Sequence, residues 1–243
     1  MKQPDYSLEK IKFGVDGETF KKAVGLYESG KVTSVAEGIR SFTATVIGTK
    51  PYHVFVEARQ FDLGDCTCYL GQNDTLCKHM VALAIYVAKN GRPLSMDEKK
   101  IIENPICSGQ LGSLTEKKLS ATKKMITDAL RYVKSYNGPS RIWFAYQDSL
   151  SEGCRRLSAI VSGLPVGVQT TEVLVDLLLR LDKKISGSGV DDSDGTVGDF
   201  MVETVDVLKE YAKLDAECIK AFDKLKNRNT SFGWEETLIN KHV

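Results

Sequence analysis

The spacing of apolar positions changes several times within the first hundred residues. Between Glu18 and Ser29, Phe20, Val24 and Tyr27 recur at intervals of three and four. That period gathers them on one face of a helix, which Gly30 closes. Two runs rich in Thr, Val, Phe and Tyr follow, Ser41 to Ile47 and Tyr52 to Phe61. The segment Gly48-Thr49-Lys50-Pro51 between them predicts a hairpin. Cys66 to Leu70 is a short candidate for a third strand. An apolar stretch from about Asp74 to Lys89 then reads as a helix, opened by Asn73 or Asp74 as a cap and stopped by Asn90-Gly91 and Pro93.

Past Pro105 the period becomes helical throughout. Helices are expected at about 115–136, 148–163, 170–185 and 197–227. In the second, Leu150, Cys154, Leu157, Val161 and Leu164 alternate steps of four and three. In the last, Phe200, Val207, Tyr211, Leu214, Cys218, Phe222 and Leu225 form one long stripe. Turn-forming residues at 136–139, 163–165 and 186–189 separate these helices. The fold class expected is therefore α+β: a small β-β-α lobe within residues 1–105, followed by an all-α, bundle-like domain over 106–243.

Composition narrows the function classes. Thirty-three Lys and Arg balance 32 Asp and Glu, so no global field holds the chain on a polyanion. The balance is uneven: residues 1–105 carry 14 basic and 13 acidic groups, 106–160 carry 9 and 4, and 161–243 carry 10 and 15. A basic middle and an acidic tail can face each other in the fold. No run of 18 apolar residues is present, so no transmembrane helix is expected, and the polar start MKQPDYSLEKIKFG carries no secretory signal. A cytoplasmic chain keeps its six cysteines as thiols or metal ligands.

Four of the nine Cys and His residues fall between Cys66 and His79, in the order C-x-C, eight residues, C-x-H. An extended C-x-C turns both thiols to one side of a strand. Gly71, Asn73 and Asp74 can bring the chain back, and a helix start near Cys77 favours its thiolate. Three thiols and one imidazole suit a closed, four-coordinate structural zinc site, so Cys66, Cys68, Cys77 and His79 are the expected ligands of one zinc ion per chain.

The C-x-C…C-x-H order, followed by the apolar helix Met80 to Val87 and preceded by a hairpin ending in Val54-Phe55-Val56-Glu57, resembles the SWIM-type zinc finger. The resemblance covers roughly residues 40–92. It implies a β-β-α unit that binds nucleic acid or protein without catalysis of its own, and DNA is the partner such fingers are commonly taken to bind.

Other patterns are weaker. Gly25 to Lys31 fits a phosphate-binding loop until Val32 stands where Ser or Thr should hold magnesium. Asp191-Asp192-Ser193-Asp194-Gly195 suggests a calcium loop, but Val190 and Met201 occupy the first and twelfth ligand positions. It reads instead as a solvated loop in which Asp194 or Asp199 caps the next helix. Lys117, Lys124 and Arg131, seven apart, share a helix face that could meet phosphates; Lys78 could do so on the finger. Trp143, Phe144 and Tyr146 are expected in the core. With His79 assigned to zinc, only His53 and His242 remain as imidazoles, and no enzyme class or small-molecule substrate is supported. The sequence thus points to a non-enzymatic zinc adaptor for DNA, with a protein-interaction scaffold as the alternative.

Overall fold

The computed structural model describes residues 3–239; His242 lies outside them. Contacts between α-carbons divide the chain into two compact units, 1–101 and 102–243.

In the first unit, α1 (Leu8–Gly14) and α2 (Gly17–Glu28) begin at the side-chain caps Ser7 and Asp16, which accept from Lys10 N and Thr19 N. Four strands follow: β1 (Val32–Glu37), β2 (Ser41–Ile47), β3 (Pro51–Glu57) and β4 (Gly64–Cys66). They form one antiparallel sheet in chain order, so each strand needs only a short connection to the next. Strand β1 was not anticipated. Its alternation is broken by a bulge between Thr33 and Ala36, where Ser34 takes φ 51°. The strand expected at Cys66 to Leu70 is β4 and lies earlier, ending at Cys66, because the chain then turns toward a short 3₁₀ segment, Gly71–Asn73.

One sheet face buries Phe42, Ala44, Val46, Val54, Val56 and Cys66. Against it lies α3 (Lys78–Lys89), whose residues His79 to Ile85 are all buried. A helix apolar on every side must be enclosed, and α2 covers its other flank. The helix starts at Lys78, not near Asp74. Asp74 adopts the left-handed conformation (φ 52°) that closes the 3₁₀ turn, and Cys77 is extended at the N-cap. A short helix α4 (Met96–Lys99) with a Ser95–Glu98 capping box ends the unit, where Glu98 also pairs with Lys89 at 2.6 Å.

The second unit is helical: α5 (Glu116–Ala129), α6 (Trp143–Ser162), α7 (Val168–Gly187), α8 (Thr196–Leu214), a 3₁₀ segment Ala216–Leu225 and α9 (Glu236–Ile239). The expected 4-3-4-3 stripe of α6, from Leu150 to Leu164, is buried throughout. The last stripe is not one helix. It breaks at Asp215, whose carboxylate accepts from Glu217 N and opens the 3₁₀ segment, leaving Leu214 about half exposed. Tyr146 is buried as expected and Trp143 is half-buried. Phe144 is 75% exposed, because α6 turns that side of its first turn to solvent.

Candidate metal centre

Every metal-ligand candidate sits at a junction between elements. Cys66 ends β4, Cys68 lies two residues on, Cys77 caps α3, and His79 is the second residue of that helix. All four are buried, and their ligand atoms lie within 4.8 Å of one another. His79 Nδ1 is 3.7 Å from both Cys66 Sγ and Cys77 Sγ. Tetrahedral zinc with Zn–S bonds near ~2.3 Å and a Zn–N bond near ~2.0 Å holds its ligand atoms roughly 3.5–3.8 Å apart, so the cluster fits the ion.

The turn that closes the cluster depends on glycine. Gly71 N donates to Cys68 Sγ at 3.4 Å, a bond that stabilises a thiolate. A Cβ on Gly71 would overlap the carbonyl oxygen and Cβ of Cys66. Without metal the interaction between the Cys66 and Cys77 sulfurs lowers the Cys77 thiol and, together with burial, raises that of Cys66 above the ordinary thiol range. The N-cap position of Cys77 adds the favourable end of the helix dipole.

Around the imidazole stand residues that the spacing did not single out. Tyr52 stacks on the His79 ring, centroids 4.5 Å apart, and its hydroxyl lies 2.9 Å from Thr49 Oγ1. Gly48 backs the same ring. Tyr52 is in phase with Val54 and Val56, which places it on the buried face of β3; that alternation was the readable signal.

The proposed contact residues are dispersed. Lys78 is half-buried in the first turn of α3. Lys117 and Lys124 are exposed on α5, opposite the buried Thr122, Ile126 and Ala129. Arg131 is exposed but lies beyond the end of α5, 3.3 Å from Asp128. His53 points outward from β3. The acidic loop has a structural task. Asp192 accepts from Val197 N and Gly198 N, both at 2.8 Å, and Asp194 accepts from Thr196 N at 3.2 Å. Asp192, not Asp199, is thus the main cap of α8. Asp191 is occupied by Trp143 Nε1 and Ser193.

Residues 52–88 match the family model of the SWIM zinc finger. No curated protein and no solved structure matches the chain. Within this SWIM zinc-finger segment, Cys66, Cys68, Cys77 and His79 are positioned to hold one structural zinc ion. Four protein ligands would leave no open coordination position, so the ion would serve to tie the end of β4 and the residues just after it to the start of α3.

Proposed function

We propose that this chain is a non-catalytic, cytoplasmic adaptor in which the SWIM finger organises the first unit and the protein recognises a macromolecule, with DNA as the first partner. A closed zinc site supports a structural rather than a Lewis-acid role. A reducing compartment is where zinc thiolates persist, and among the described residues no helix is long and apolar enough to cross a membrane. The observation that carries the DNA reading is the lysine surface of α5. Lys117, Lys118, Lys123 and Lys124 are all exposed and take no acidic partner among the described residues.

The test is duplex binding followed by anisotropy across a salt series. Each phosphate contact contributes about −0.9 to the slope of log affinity against log salt, so three or four contacts give a slope near −3 to −4. Replacing Lys117, Lys124 and Arg131 by Gln should flatten the slope while leaving the melting temperature nearly unchanged. Absence of binding at low salt would transfer the proposal to the second reading, a protein-interaction scaffold. That reading is favoured by the outward face of the sheet, where Phe55 lies between Glu57 and Asp65 with no lysine or arginine on the outward positions of β2, β3 and β4, and by Tyr69, 81% exposed beside the zinc ligand Cys68.

A further inference from the structure

The second ring nitrogen of His79, a ligand in the zinc site, finds no protein hydrogen-bond partner among the described residues. A metal-bound imidazole almost always donates its second ring N–H to a carboxylate, carbonyl or water, which fixes the ring's orientation. Here Nδ1 faces the sulfurs of Cys66 and Cys77, while Nε2 is buried and meets no hydrogen-bond partner among the described residues. Something else must fix the ring. On one face Tyr52 lies 4.5 Å away at an interplanar angle of 28°. Near Nε2 is the backbone of Gly48, so close that a Cβ there would stand 2.8 Å from Nε2 and 2.9 Å from the Tyr52 ring. Gly48 is itself fixed in the hairpin, its N–H donating to Lys50 O at 3.0 Å.

We infer that Gly48 and Tyr52, in the β2–β3 hairpin that supplies no ligand, are the positioning residues of the zinc site. They confine the His79 ring so that Nδ1 binds the metal, with packing in place of the usual second-ring hydrogen bond. Presenting Nε2 to the sulfurs would require the imidazole to shift from its stacked place on Tyr52 and from the Gly48 backbone at its Nε2 edge. Stacking, not the tyrosine hydroxyl, is the active element, because that hydroxyl engages Thr49 at the hairpin tip, away from the imidazole. The coupling is reciprocal: an ion that fixes His79 also fixes the ring stacked upon it, and with it the tip Thr49–Lys50.

Zinc affinity of the full chain, measured by competition with a chromophoric chelator, tests this. Tyr52→Phe should bind zinc as the wild type does, and Tyr52→Leu about 10–100-fold more weakly, the range expected when support of a ligand is removed. Gly48→Ala should weaken it as well. A general loss of folding is separated by a second background. With His79→Cys the fourth ligand has no ring to orient, so Tyr52→Leu should then have little effect on affinity. Nitrogen chemical shifts of His79 in the zinc-loaded protein should report a metal-bound Nδ1 and a protonated Nε2. Metal on Nε2, wild-type affinity in Tyr52→Leu, or an equal loss from Tyr52→Leu in the His79→Cys background would overturn the inference.

Discussion

At the residue scale the chemistry turns on who holds protons. In the metal-free cluster the closeness of the Cys66 and Cys77 sulfurs, with burial, raises the Cys66 thiol and lowers that of Cys77, so Cys66 is the sulfur that keeps its proton. Zinc requires both as thiolates, so binding expels the Cys66 proton, and acid competes with the metal. Affinity should therefore rise with pH, by about tenfold per unit for each proton expelled. Zinc transfer to a chelator measured between pH 8 and pH 5 should accelerate toward acid; a flat profile would contradict this proton arrangement. The acidic loop provides a second residue-scale case. Asp192 satisfies two backbone donors of α8, so Asp192→Ala should cost the second unit about 1 kcal/mol, up to ~2. Asp194→Asn should cost less, since Asp194 accepts one longer bond. Calorimetry should detect no calcium binding tighter than millimolar, because the carboxylates that a calcium site needs are committed to the helix or missing.

At the element scale, glycines separate the parts that tolerate change from those that do not. Gly25 lies inside α2 with open space where a Cβ would go, so Gly25→Ala should stabilise the first unit by roughly 0.5–1 kcal/mol. Gly71→Ala should do the reverse and weaken zinc binding, since the new Cβ collides with Cys66. Thermal melts and chelator competition of the two variants should diverge in sign. How much was legible followed local physics. The bounds of β2 and the end of α3 at Asn90 were readable because Gly48 and the Asn90-Gly91 pair end elements by backbone conformation alone. The ligand quartet was readable because chemistry confines zinc to few residue types and spacings. What was not legible depended on neighbours. A bulge at Ser34 disguised β1, the left-handed Asp74 delayed α3, and capping by Asp215 divided the last helix. Phe144 illustrates the same limit: its aromaticity suggested burial, but the orientation of α6 exposes it.

At the scale of the whole molecule, the two units draw on separate sets of buried residues. One core runs from Tyr6 to Leu94 and includes the three thiols of the zinc site; the other runs from Ile126 to Leu238 and includes none of them. Cys154 and Cys218 lie in the second core, and burial raises both thiols, which makes them poor metal ligands at neutral pH. Zinc therefore bears on the first unit alone. Structural zinc in small fingers contributes roughly 10–16 kcal/mol of binding free energy, comparable to the whole stability of a domain of this size. Here the ion would join the end of β4 to the start of α3, and α3 is the helix on which the sheet, α1 and α2 all pack. Removing it should spread from the finger to the rest of that core. Calorimetric scans should thus show two transitions in the zinc-loaded chain, and a chelator should lower or abolish one of them and leave the other in place. Cys68→Ser should reproduce the chelated scan, while Cys154→Ala should lower the zinc-independent transition through the loss of buried volume, with full zinc content retained. A single transition that shifts as a whole on chelation would mean that the two cores unfold together.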